Sequence, residues 1–472
     1  MADDLRTQSN GSTTHMPRIF SLTSTLAMAF SITNTWIGYS ATFVTPLLAG
    51  GGPAVVFCLI LACVACTIIA LGLAELASAF PSSGGQYHFA SMVSTERYRA
   101  PVAFTVGWIS ILGWLFTTAS TTIFCSQTSL MLASLYHPSY IWTAWQVWLI
   151  YTLITAISCL FIILLPQWIP AAEKVFLFSS LLGLIVAFVT VLATSQEKQP
   201  AKVIFAEWVN VTGWPDGLAF ILATGQAMYG FLGMDGATHI AEELPNPERT
   251  VPKVIIMIMA IAINSQAAAT FFTVWICFIY YGALVSCFVT SGRLIWAFSR
   301  DGGLPYSHIF AKIHPTLLAP VNATLLAGAF MVVFGLLYIA STTAYNSIVG
   351  LAILATNLTC AIPQTIVLIR GRRVLPKRYL NLGAIRGTFC NVFSTLYVAL
   401  YTVLFLAAES MNYLSVVLVG ALVFVTILWW AGKRHTFHGP SLQSEGVVIE
   451  SRVVENGAKS LRLSKQSDKA ET

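Results

Sequence analysis

Long stretches without a single charged side chain constrain this 472-residue sequence more than any other feature. No Asp, Glu, Lys or Arg occurs between Arg18 and Glu75, between Arg99 and Glu173, between Lys253 and Arg293, or between Lys312 and Arg370. A helix rises about 1.5 Å per residue and the hydrocarbon layer is about 30 Å thick, so roughly 20 apolar residues make one crossing. The longer gaps each hold two. The expected crossings are 20–48, 53–79, 101–135, 141–165, 171–194, 216–240, a short 251–263, 267–298, 318–340, 345–369, 388–408 and 413–431. Only 9% of the residues are charged, a balance that a soluble domain of this length does not need. The expectation is an all-α polytopic membrane protein of about 12 transmembrane helices, with a polar segment 1–19, a membrane domain 20–431 and a tail 432–472 of disordered composition.

The basic residues set an orientation. With the N-terminus inside, only Lys198 and Lys202 fall outside, and Arg370, Arg372, Arg373, Lys377, Arg378 and Arg386 form a dense inner cluster. Such a bias predicts both termini in the cytoplasm. The excess positive charge therefore needs no nucleic-acid partner, and the inner cluster reads as an orientation signal before it reads as a lipid-headgroup site. Asn210-Val-Thr212 falls outside, as a glycosylation acceptor would. Cys63 and Cys66 form a CxxC, but inside an apolar helix small residues at this spacing serve packing more often than redox or metal chemistry. No motif implies a metal, a cofactor or an oligomeric state. The sequence also has no HExxH, no GxSxG and no phosphate-cradling Gly-Lys-Ser/Thr loop, so an enzyme and an ATP-driven pump are both disfavoured.

Unwound backbone survives in a membrane only where it is buried in protein or lines a cavity. Two stretches invite it. The first runs from Trp36 through Gly38, Tyr39, Ser40 and Ala41 to a Gly50-Gly51-Gly52-Pro53 turn, and the second holds Gly225, Gly230, Gly233 and Gly236 around Asp235. Glycines at this spacing also serve close helix packing. An acid inside a span marks a pathway, a partner or a proton site. Freed N–H groups hold a carboxylate and freed carbonyls hold an ammonium, so a zwitterion could bridge both breaks. Trp36, Tyr39, Tyr229 and Phe231 could offer aromatic faces to the ammonium or simply pack. Glu75 reads as a gate, a proton relay, a cap or an ion-pair partner, and His239 as a relay to Asp235 or a hydrogen-bonded helix-end histidine.

Four motifs carry a resemblance over roughly residues 20–431: FVTPLLAGGGPA, GLAELASAFPSSGGQYHF, GFLGMDGATHIAEELPNPERTVPK and SGRLIWAFSRDGGLPYS. The chain resembles the amino acid/polyamine/organocation transporter superfamily, and within it the fungal amino acid/choline permeases. The resemblance implies two inverted five-helix repeats plus two helices, with a small amine-bearing solute held between broken first and sixth helices. It places Gly38, Tyr39, Ser40 and Ala41 in the first break and Phe231, Leu232, Gly233, Met234 and Asp235 in the second, with Tyr229 as an aromatic gate. It implies a permease of the plasma membrane, driven by an ion gradient and coupled to protons. Tyr39 departs from the small-Ser-small triplet of many relatives, and Asp235 leans the reading toward cationic amines. The 251–263 segment is short for a seventh helix, so either it crosses with local thinning of the bilayer or the chain is a shortened, impaired form, and a non-transporting nutrient sensor stands as a separate alternative.

Overall fold

The computed structural model describes residues 19–137, 139–194, 199–243, 272–407 and 412–440. It is all helical across them, with no strand among the described residues. The first crossing is α1 (Leu22–Thr33) and α2 (Thr35–Thr42), followed by α3 (Val44–Ala79), α4 (Gln86–Val93), α5 (Glu96–Tyr136), α6 (Ala144–Leu164), α7 (Ile169–Thr194), α8 (Ala201–Phe205) and α9 (Asp216–Ala227). Beyond them come α10 (Phe272–Arg300), α11 (Val321–Ala340), α12 (Thr342–Arg370), α13 (Gly383–Ala407) and α14 (Asn412–Leu428). Among the described residues ten helices are long and apolar enough to cross a membrane. The broken first crossing adds to these. The short crossing expected at 251–263 lies outside the described residues.

Lipid-facing and inward-facing sides separate cleanly along α6. Leu149, Leu153, Ile157, Leu160 and Leu164 form an exposed stripe, whereas Val147, Tyr151, Thr155, Ser158 and Ile162 point inward. Apolar residues outside and hydroxyls inside suit a bilayer as solvent. At the centre, α5 packs along α10 and α12 and contributes Phe104 and Trp114, both fully buried. Its polar run of Ser and Thr costs little there. Thr117, Thr118, Thr121, Thr122 and Ser126 each donate to the carbonyl four residues earlier, which satisfies the hydroxyl within its own helix.

The glycine turn after the first crossing is confirmed as a kink inside α3, with Gly51 at φ +66°. The aromatic ring of Trp208 and the backbone of α8 lie so close to Gly50 and Gly52 that a Cβ at either would collide. Asn210 lies at this same end, beside Val211, whose N–H donates to Leu48 O.

Basic residues gather at the opposite end. Glu75, at the close of α3, is gripped by Arg372 and Arg378 and by the Leu382 N–H, and Arg370 donates to Val93 O at 2.7 Å. The Arg370–Arg386 cluster is thus in part an ion-pair clasp. The segment from α9 to Glu243 and helix α10 both run toward this end, because Glu243 pairs with Arg293 near the last turns of α10. Phe272 stands 21 residues earlier in α10, about 32 Å away along the axis.

His88 in α4 is buried, and that burial, with Arg300 as a lesser cause, pushes its imidazole down to about 4 from an ordinary 6.5. Above about 6.5 the ring is neutral whether folded or not, and adds no pH dependence. As pH falls from about 6.5 toward 4, the unfolded chain takes a proton that the folded one refuses, so stability drops, and below about 4 the loss levels off. His88→Gln should flatten this acid-side decline in the thermal unfolding temperature of the detergent-solubilised protein. An unchanged slope would mean that the folded ring takes its proton over the same pH range as the unfolded one.

Candidate functional site

The first helix is interrupted at Asn34, not at the glycine. Asn34 takes φ +26° and ψ +58°, and Gly38, Tyr39, Ser40 and Ala41 lie beyond it inside regular α2. This corrects the expected position of the first break, and the reason is visible in the contacts. Asn tolerates positive φ better than most residues because its short amide can bond locally or to a neighbour. Here Ser180 Oγ on α7 donates to Asn34 Oδ1 at 2.9 Å and accepts from Trp36 Nε1 at 3.0 Å. One hydroxyl therefore holds both sides of the interruption.

The second break falls where it is expected. After α9 the chain tightens into a 3₁₀ turn (Met228–Phe231), Leu232 extends, Gly233 takes φ +83°, and a second 3₁₀ segment runs over Gly236–Glu243. The two interrupted crossings meet through glycine: a Cβ on Gly38 would stand 3.1 Å from Gly230 Cα, and one on Gly233 would overlap Ile32 Cγ2 of α1. Both readings of the glycines hold, since they break the helix and also let the breaks touch. Gly233→Ala combines an unfavourable φ with that overlap, and should sharply reduce the monodisperse fraction in size-exclusion chromatography. Adding Ile32→Ala should recover part of it; full recovery would show that the φ is not strained.

Asp235 sits at the centre of this junction, 1% exposed. Its Oδ2 accepts from Gln86 Nε2, from Trp114 Nε1 at 3.1 Å and lies 3.3 Å from His239 Nε2. His239 Nδ1 is 3.3 Å from Ser83 O. The Gln86 amide must turn its nitrogen to the carboxylate, since its oxygen would be repelled there. Asp235 Oδ1 and Gln86 Oε1 then remain buried without a hydrogen bond among the described residues. A cluster with spare acceptors is built for a ligand that brings donors. No group of three or more potential metal ligands occurs among the described residues.

The other expected residues are dispersed around this centre. Tyr229 and Phe231 are buried, and the Tyr229 hydroxyl bonds Ser120 Oγ at 2.8 Å while its ring meets Phe124 edge-on. Tyr280 stacks at a tilt on the same Phe124 and donates to Ile37 O. Met234 is buried beside Asp235, whereas Tyr39 turns away to donate to Val55 O at 2.6 Å. Ser40 is exposed and bonds its own turn at Ile37 O, and Ala41 is half-buried.

The family model described as amino acid permease matches residues 20–265 and 262–424. The chain belongs to the amino acid permease family. The permease is 30% identical to a choline transporter of Saccharomyces cerevisiae over 90% of this chain and 83% of that protein. It is 27% identical to a swainsonine transporter of Arthroderma benhamiae, over 89% and 92% of the two chains. Amino-acid permease 2 of Neurospora crassa shares 26% identity over 92% of this chain and 88% of its own. The only overlap between the two matched pieces of the permease is at 262–265, beside the segment expected to be short.

Glu75 and His239 do different things in this permease. His239 belongs to the Asp235 cluster, with its ring edge-on to Trp114 at 5.6 Å. Glu75 belongs to the arginine clasp at the basic end. Three contributors escape the sequence reading: Asn34, Gln86 and Trp114. Gln86 stands inside the quoted SSGGQYHF motif, and Asn34 is the one amide in the apolar run 19–74. Trp114 carries no local signal, because its role depends on α5 lying opposite the second break.

Proposed function

We propose that this chain is a secondary active transporter that moves a small amine-bearing solute, such as an amino acid or a choline-like cation, by alternating access and coupled to protons. The observation that carries the reading is Asp235, a buried acid at the broken sixth crossing with one oxygen unpartnered beside the equally unpartnered Gln86 Oε1. A donor-rich ammonium group satisfies both acceptors, and an Asp235 carboxylate supplies the counter-charge for a cationic amine. The facing of a broken first helix with a broken sixth supports the inverted five-helix repeat that the resemblance implies. Basic ends gathered on one side favour both termini in the cytoplasm, and a plasma-membrane location rests on the resemblance alone.

The test is uptake of labelled choline, γ-aminobutyrate and a panel of amino acids into vesicles holding the purified chain, with and without an inward proton gradient. Saturable accumulation that rises with the gradient supports the reading. Uptake of none of these solutes, under any gradient, overturns it. A second reading, a shortened permease with an impaired cycle, rests on the interruption of the family match at 262–265. It requires solute binding by the purified protein without accumulation, and restored accumulation when a full-length seventh crossing is inserted there.

A further inference from the structure

We propose that Glu173 is the site at which the coupling proton binds, a carboxyl that gives up and takes its proton as the broken first helix moves. This rests on the transporter reading above, but on residues outside the Asp235 cluster.

Glu173 reads in the sequence as no more than the fence post that ends a charge gap. The structure puts its side chain inside the bundle, on the first turns of α7 and 0% exposed. No basic side chain among the described residues forms an ion pair with it: α1 carries no titratable group, Cys287 of α10 lies within electrostatic reach of it, and Lys174 beside it is exposed. A carboxylate there would be a buried charge without a counter-ion, which is costly in any protein interior and more so within a bilayer.

The hydrogen bonds point the same way. Ser286 Oγ lies 2.8 Å from Glu173 Oε2 and 3.0 Å from Gly282 O, the carbonyl one turn back in α10. A hydroxyl has one proton to give. If Glu173 is ionised, Ser286 must give its one proton to the carboxylate and abandon Gly282 O. If Glu173 is protonated, its O–H donates to Ser286 Oγ and Ser286 donates to Gly282 O, so both contacts are kept as hydrogen bonds and Oε1 is left as the oxygen of a neutral acid, which costs less to bury than that of a carboxylate. The step is a plain proton exchange: an O–H bond of the acid breaks, and the proton leaves to water admitted when the helices part.

What couples this proton to transport is position. The Ser31 hydroxyl on α1 lies beside the same carboxyl, within reach of it as a donor. Ser31 stands three residues before the break at Asn34, and Ser180, two turns along α7 from Glu173, holds Asn34 itself. Ionised Glu173 accepts from Ser31, and neutral Glu173 does not need to. The charge state thus decides how firmly α1 is held against α7.

The experiment uses the purified full chain. Infrared spectra at neutral pH should show the carbonyl stretch of a neutral carboxylic acid that disappears in Glu173→Gln and shifts in Ser286→Ala. In vesicles preloaded with choline or γ-aminobutyrate, Glu173→Gln should keep counterflow exchange and lose accumulation driven by the proton gradient, whereas Glu173→Asp should keep both. A wild-type spectrum without a band that depends on Glu173 overturns the proposal, and so does proton-driven accumulation by Glu173→Gln at the wild-type level. Accumulation driven by sodium in place of protons also overturns it. If the wild-type chain moves no solute at all, the transporter reading fails, and the infrared bands still decide whether Glu173 holds a proton.

Discussion

Asp235→Asn should lower saturable solute uptake about a hundredfold, without changing the size-exclusion profile of the purified protein. The figure follows from removing one partner of a buried charge pair, which costs about 3 kcal/mol or more, with each 1.4 kcal/mol worth about a factor of ten. The substitution keeps the volume, so the fold should persist. Two N–H donors, from Gln86 and Trp114, converge on the Oδ2 position, and only an oxygen can sit there. The new amide must therefore turn its nitrogen to the other side. That places an N–H donor where the solute brings its own donors, and the loss should appear chiefly as a raised KM for cationic amines. Uptake at the wild-type level in Asp235→Asn would reduce Asp235 to a tie between the Ser82–Gln86 turn, α5 and the sixth crossing.

The second large effect concerns Glu243 and Arg293. Arg293 Nε donates to Glu243 Oε1 at 2.9 Å, both side chains are nearly inaccessible, and Arg293 Nη1 has no partner among the described residues. Breaking a buried pair from one side strands the remaining charge, at a cost of about 3–5 kcal/mol. Glu243→Ala should therefore lower the thermal unfolding temperature steeply and cut the yield of folded protein. Replacing both residues with apolar ones of similar volume, Glu243→Leu with Arg293→Met, should restore most of the loss, because the desolvation penalty goes with the charges. A double variant as unstable as the single one would show that the pair is held by more than its own charges.

The crossings could be read in advance because a bilayer admits few charges, and the gaps between Arg18 and Glu75 or Lys312 and Arg370 have no other physical explanation. The second break was equally legible: Gly233 supplies the positive φ, and an acid two residues later has no reason to be there unless it is used. The first break was not. Gly38 looks like the weak point of its helix, but its missing side chain serves contact with Gly230, and the interruption depends on a hydroxyl 146 residues away. Glu173 was hidden for a related reason. A charge at the end of an apolar run looks the same in sequence whether it meets water or turns inward, and only the neighbouring helices decide which.

The clasp on Glu75 has a consequence for how the chain is made. Its carboxylate is synthesised 297 residues ahead of Arg372 and 303 ahead of Arg378. At roughly 5–20 residues per second, the acid at the foot of α3 waits on the order of 15 to 60 s for its counter-charges. Throughout that interval the second crossing has only interfacial water to solvate a group that ends up 2% exposed. A nascent chain halted before the tenth and eleventh crossings are joined would keep that carboxylate unneutralised, a lasting mark by which membrane quality control could tell unfinished chains from finished ones.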